Sequence, residues 1–404
     1  MLLGLIRESG IATRNQLVAL THLKNATITI IINEFLQKGL IEETGLVDGG
    51  NGRRVMGFRI ANRFCCVSIR LSVSYLKFSV YDIHMNNLYV TKTFIDTLAD
   101  LSFTCDVIAR EMRAAQECIG DKSVVGIGVG VEGPFVIKDE RYQYFDSRTG
   151  QYFDLGKELH NRTGHLVIIN RMSNYTAYRA WNQLLKDDLG IVISFNISYT
   201  LECGIIFNGE MLSGAQGLTG MIGNVIAGKD EDGHVLRYND LISVPAIIDR
   251  TIRLLDAYPE SSLHQSAADL NIRDVIAAYA QEDPLAVHVY RECAQTCGKA
   301  ISVLIELMNP DVVFFGDEIP NSEAYMALVY QEAIKNLKHE SAVRFAWMGP
   351  SNTMTFISPE KTTWDKAIVG RLTKLDPSLT GAADYVFSVV LGGYDSIEYM
   401  ENQE

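Results

Sequence analysis

The sequence predicts an α/β chain with a small N-terminal winged helix-turn-helix and a larger, duplicated α/β body. Three observations predict it. The first 63 residues run as three short helical patterns and then a hairpin pattern with a Gly-rich tip. From Cys65 onward come three apolar strands, a helix and a buried Val/Ile/Gly strand, and a similar set follows later. The charge divides at the same place. Residues 1–63 carry eight basic and five acidic residues, a balance of +3, and the net charge of −13 leaves −16 on the remainder. An acidic body is repelled by DNA, so only the basic head could approach it.

In the head, Leu2, Leu3, Leu5 and Ile6 give the first helix its apolar face. Thr13 is the expected N-cap of the second helix, "RNQLVALTHL". The third, "NATITIIINEFLQKGL", spaces Ile28, Ile31, Ile32 and Phe35 for one helical face, with Gly39 as C-cap. Two strands then flank a tip that carries Arg53 and Arg54. In a winged helix-turn-helix the third helix enters the major groove and the wing meets phosphate or minor groove. The candidate DNA contacts are Arg14, Asn15, Lys24, Asn25, Thr27, Thr29, Arg53 and Arg54. The third helix offers one cation, so affinity should lean on Arg14 and the wing. Base readout would then use hydroxyl, amide and apolar contacts. The alternative is a protein-interaction domain with a solvated basic hairpin.

The body opens with "CCVSIRLSVSYLKFSVYDIHMNNLYVTKTF", three strands, and continues with a helix from about Leu101 to Ile119. The strand "SVVGIGVGVEGPFV" follows. "LGIVISFNISYTLECGIIFNGEML" reads as a hairpin of two buried strands whose turn includes Asn208-Gly209. A late helix leads into the strand "DVVFFGDEI". Ligands of such sheets bind at the carboxyl ends of strands. One strand end, "VIINRMSNYTAY", has no carboxylate where an α/β enzyme commonly places one.

Composition narrows the class. The apolar fraction of 47% and charged fraction of 21% suit a soluble globular protein, and no apolar run approaches a membrane span. The opening "MLLGLIRESGIATRNQL" has no basic leader and reads as a helix. Seven irregularly spaced cysteines suggest a reducing cytoplasm, with Cys293 and Cys297 as packed core thiols.

The motifs "GIGVGVEGP", "GIIFNGEMLSGAQGLTGMIGN" and "LMNPDVVFFGDE" in the body, with "TRNQLVALTHLKNATITIIINEFLQKGLIEE" and "GGNGRRVMGFRI" in the head, resemble the ROK family (repressor, open reading frame, kinase). The resemblance covers essentially the whole chain and is greatest to the repressor branch. It implies a duplicated actin-like, ribonuclease H-like sugar-kinase fold behind the winged helix. The domains implied are 1–63, a first lobe 64–185 and a second lobe 186–404, with the C-terminal helix returning to the first lobe.

Against the kinase branch, four elements depart together. Active members read Glu-Asn-Asp-Ala-Asn-Ala at the strand end, and the Asp is the general base. Here Met172 or Arg171 takes its place, depending on register, and neither can accept the proton. The first phosphate motif, Asp-x-Gly, becomes Ser68 and Arg70. The second keeps only Gly204 and brings in Glu202. The sugar Glu and the sugar- and zinc-binding His become Met221 and Asn224, and no cysteine lies between Cys203 and Cys293 to complete a metal site. His234 reads as a solvated loop residue.

The resemblance therefore implies a DNA-binding regulator, a repressor of carbohydrate-related genes, with no catalytic residues, no cofactor and no metal. The remaining readings are a non-DNA-binding interaction protein and an atypical sugar kinase. Expected partners are a palindromic double-stranded operator, a sugar or sugar-derivative effector, and copies of itself in a homodimer or dimer of dimers, without a membrane. The pocket set is Glu132, Arg171, Asn174 and Asn224, with Asn174 at a cap-like position. Arg171 either holds an anionic ligand bidentately or pairs with a nearby carboxylate such as Glu132.

Overall fold

The computed structural model describes residues 1–49, 53–133, 135–139, 141–146, 150–185, 190–348, 354–357 and 376–392. By contacts the chain forms two units. One is Met1–Val129 with Asp154–Ile169 and the residues from Ala382; the other is Gly130–Phe153 with Asn170–Gly381.

The first unit begins with α1 (Leu2–Ser9), β1 (Ala12–Thr13), α2 (Arg14–Thr21) and α3 (Asn25–Gln37). The strands β2 (Ile41–Asp48) and β3 (Arg54–Ile60) follow, and β3 lies between β1 and β2 in an antiparallel sheet. Thr13 caps α2 as expected. Its Oγ1 accepts from the Gln16 amide at 3.3 Å, and Gln16 Oε1 accepts from the Thr13 amide at 2.8 Å, a full capping box. α3 stops one residue before the expected place, at a Lys38 cap, and Gly39 follows with φ +63°. The Leu40 amide then donates to the Phe35 carbonyl and the Gly39 amide to Leu36, closing a Schellman turn. Ile28, Ile32 and Phe35 of α3 are buried, as are Leu3 and Ile6 of α1 and Leu17 of α2, each worth about 1.5–3 kcal/mol of burial. Ile31 is only half-buried.

The body strands β4 (Phe64–Ser72), β5 (Tyr75–Asp82) and β6 (Asn87–Thr93) form an antiparallel meander. Next are α4 (Leu101–Ile119) and β7 (Ser123–Val131). The small strands β8 (Phe135–Lys138), β9 (Arg141–Asp146) and β10 (Gln151–Phe153) make a sheet of their own. α5 (Leu155–Thr163) leads into β11 (Val167–Arg171), giving the sheet order β11-β7-β4-β5-β6.

After α6 (Met172–Leu184) the plan repeats with β12 (Ile191–Ile197), β13 (Leu201–Phe207) and the short β14 (Glu210–Met211). The ribbon β15 (Ile226–Lys229) and β16 (Val235–Arg237) comes next, then α7 (Tyr238–Ile242), α8 (Val244–Leu254), α9 (Ile272–Ala280) and α10 (Pro284–Met308). β17 (Val312–Asp317), α11 (Glu323–Lys335), β18 (Arg344–Met348), β19 (Met354–Ile357) and α12 (Pro377–Gly392) complete the described elements. The sheet order β14-β13-β12-β17-β18 mirrors β6-β5-β4-β7-β11, so the duplication is written in strand order. β12, β17 and β18 run parallel, and α10 covers them with Val289, Cys293, Cys297, Ile301 and Leu304 in one core. Cys293 and Cys297 are both buried, and burial pushes the Cys293 thiol up to about 12.

The expected two-strand hairpin is corrected here. β12 and β13 are joined by Ser198–Thr200, and the Asn208-Gly209 turn carries the chain on to a third strand. Asn208 and Gly209 have φ +51° and +86°, the hairpin geometry their types favour. The true first turn contains neither Gly nor Pro, so it left no signal.

Candidate functional site

The β11–α6 junction is built from the second unit. β11 delivers Asn170 and Arg171, and α6 begins at Met172. Arg171 is the N-cap residue, so Asn174 is not at the cap as expected but inside the first turn. Apolar strand residues and a buried helix face fix this frame: Met172, Tyr175 and Ala177 are all buried.

Arg171 is 1% exposed, and each of its guanidinium nitrogens donates. Nε reaches the Gly217 carbonyl at 2.7 Å, Nη2 the Phe135 carbonyl at 2.9 Å, and Nη1 the Glu202 carboxylate at 3.0 Å. One side chain thus ties the strand end to β8, to β13 and to the loop after β14. Of the two readings of Arg171, pairing with a carboxylate is the one observed, and the carboxylate is Glu202. Glu202 also accepts from Thr200. Burial pushes its carboxyl above the usual range, Arg171 opposes that, and the charge of Glu132 adds to it. Glu132, at the end of β7, is buried too, so two carboxylates share one guanidinium's neighbourhood.

Sequence reasoning missed Asn170. Its Oδ1 accepts from the Tyr142 hydroxyl at 3.2 Å, the Arg171 amide at 2.9 Å and Asn174 Nδ2 at 2.7 Å. It reads as an ordinary strand-end Asn, and only the fold converges these donors on it. Asn174 Oδ1 and Ser173 Oγ are buried and have no hydrogen-bond partner among the described residues. Asn224 stands elsewhere: it is exposed on a 3-10 turn, and its Oδ1 accepts from Asn239 at 3.2 Å. Asn239 lines a cavity of about 530 Å³ with Asp240, Ser243, Asp249, Ile252 and Arg253 on α7 and α8.

The kinase-motif positions are occupied structurally. Ser68 and Arg70 are buried on β4, and the Arg70 guanidinium lies 5.8 Å from the Tyr75 ring. Gly204 is retained because a Cβ there would stand 2.0 Å from the Ser173 carbonyl oxygen. Gly204→Ala is therefore expected to cost about 1–3 kcal/mol in chemical denaturation, and a neutral effect would show that α6 can move off β13. His234 is exposed and hydrogen-bonds Asp230 at 3.1 Å, closing the β15–β16 loop on itself.

In the head, Asn15 is exposed at the start of α2, Lys24, Asn25 and Thr27 are exposed at the start of α3, and Arg53 and Arg54 are exposed where β3 begins. Two expected contacts are partly engaged. Arg14 is half-buried with its guanidinium 4.9 Å from the Phe58 ring, and Thr29 Oγ1 donates to the Asn25 carbonyl at 2.9 Å. Ile30 is 68% exposed on a helix that buries its other apolar face.

Comparison with known proteins fits this layout. The chain is 20% identical over 359 residues to a protein named putative xylose repressor from Caldicellulosiruptor sp. strain Rt8B.4, covering 85% of this chain and 87% of that one. It is 21% identical over 344 residues to the DNA-binding transcriptional dual regulator NagC of Escherichia coli K12, covering 82% of each. Among solved structures, a ROK family transcriptional regulator described as a homologue of the E. coli MLC protein superposes with a TM-score of 0.69 at 22% identity, covering 97% of this chain and 94% of that one. A ROK family glucokinase from Streptomyces griseus, in complex with glucose and AMPPNP, superposes with a TM-score of 0.61 at 19% identity, covering 80% of this chain and 98% of that one. The regulator alignment takes in the head as well as the body, and both structures share the sugar-kinase-like α/β fold. The ROK family model matches residues 66–354, which hold nearly all of both mixed sheets and the β11–α6 junction, and the chain belongs to that family.

Proposed function

We propose that this chain is a sugar-responsive transcriptional repressor with a winged helix-turn-helix head (residues 1–63) and a body that does not phosphorylate sugars. The observation that carries the reading is Arg171. By register either Met172 or this guanidinium stands where the kinase branch needs a base, and the guanidinium is held by three hydrogen bonds in a buried ion pair. It cannot take a proton from a sugar hydroxyl. The names of the xylose repressor and NagC relatives support the regulatory reading. So does the exposed set Asn15, Lys24, Asn25, Thr27, Arg53 and Arg54 on a basic head.

The partners proposed are double-stranded DNA with a palindromic site, a second copy of the chain, and a sugar effector. The setting proposed is the cytoplasm; no described helix is long and apolar enough to cross a membrane. Because Arg171 is engaged and two carboxylates lie beside it, the pocket favours a neutral sugar over a sugar phosphate or sugar acid. Ser173 Oγ and Asn174 Oδ1 supply a hydroxyl and an acceptor for ligand hydroxyls. A neutral sugar at 100 times its Kd should stabilise the fold by about 2.7 kcal/mol in thermal denaturation. A larger shift with sugar phosphates would contradict this choice.

The function itself is tested by gel retardation of the DNA upstream of the chain's own gene, together with ADP release from ATP, Mg²⁺ and glucose, xylose or N-acetylglucosamine. Specific retardation without ADP release is expected. Sugar-dependent ADP release without retardation would overturn the reading.

A further inference from the structure

α12 is a largely buried helix that meets the head. Leu379, Ala383, Val386, Phe387 and Val390 are buried, and so is its one charged side chain on that side, Asp384, at 3% exposure. Within the second unit, its Gly381 packs on α6 so closely that a Cβ would stand 2.0 Å from the Tyr175 carbonyl oxygen. Within the first unit, a Cβ on Gly128 of β7 would meet Ala382 at 3.1 Å and Val386 at 3.0 Å. At its far end α12 meets α1 of the head. Arg7 Nη2 donates to the Asp384 carboxylate, Arg7 Nη1 reaches the Asp384 carbonyl at 3.4 Å, and the guanidinium lies 5.3 Å from the Phe387 ring. A Cβ on Gly4 would lie 3.6 Å from Gly392 Cα.

A buried ion pair adds little stability compared with apolar residues of the same volume, but it fixes one geometry. An apolar α1–α12 contact would let the head slide; Arg7–Asp384 gives it a register. We infer that Arg7–Asp384 is the latch that sets the orientation of the DNA-binding head on α12. This inference rests on the DNA-binding reading, but its first readout does not need DNA.

The test uses the full chain with Arg7→Met and Asp384→Leu together, an apolar pair that keeps the core filled. Hydrogen exchange of α1–α3 amides should rise at least tenfold while the α10 and β12 amides keep wild-type protection. Binding to the upstream DNA duplex should weaken at least tenfold in the same variant. Should the double variant not fold, Arg7→Lys, which keeps the charge and loses the second donor, should weaken DNA binding a few-fold. Wild-type head protection and wild-type DNA affinity in these folded variants would overturn the latch while leaving the regulator reading standing. A wild-type chain with no specific DNA binding would overturn both.

Discussion

Arg171→Met destabilises the chain by about 3–5 kcal/mol, because it leaves the Glu202 carboxylate buried without its cation. The Gly217 and Phe135 carbonyls lose their donors in the same change, which adds to the loss. Arg171→Met with Glu202→Leu should recover most of it, since removing both charges leaves no uncompensated ion. Chemical denaturation of the two single variants and the double variant measures the coupling directly. Additive losses would mean that the pair is incidental. A recovering double variant means that the guanidinium at the end of β11 and the carboxylate on β13, 31 residues apart, act as one structural unit.

The second large effect lies on the hairpin. Arg53→Ala with Arg54→Ala should lower affinity for the upstream DNA by about 10–100-fold at physiological salt and reduce the slope of log affinity against log salt by about 2. Both side chains are exposed, so stability should change little. Lys24→Ala should remove about one further unit of slope, since Lys24 is an exposed cation at the start of α3. Unchanged salt dependence in these variants would place the DNA contact elsewhere on the head.

Much of this fold was legible because its signals are local. Thr13 reads as a helix cap, Gly39 as a helix stop, and the residues from Cys65 as three apolar strands joined by short turns. The duplicated body was legible as element order, and the strand order repeats it. What stayed hidden was long-range. Nothing near Arg171 in sequence names Glu202, Phe135 or Gly217 as its partners, so the residue read equally as a ligand clamp. Asn170 was invisible for the same reason, as was the α1–α12 latch, whose partners are 377 residues apart. The β12–β13 turn was misplaced because Asn208-Gly209 carries a turn signal and Ser198–Thr200 carries none. Asn174 was misplaced by one helical turn because the strand end supplies its own cap residue, Arg171.

The most direct test of the central claim is a DNase I footprint of the purified chain on the DNA upstream of its own gene, at physiological salt with excess unrelated duplex. A regulator with paired winged-helix heads protects an inverted repeat whose half-sites lie about one helical turn or a multiple of it apart. Protection should fade with rising salt and vanish in the Arg53→Ala, Arg54→Ala variant. Uniform weak protection that unrelated duplex competes away would contradict the account, and so would an unaltered footprint in that variant.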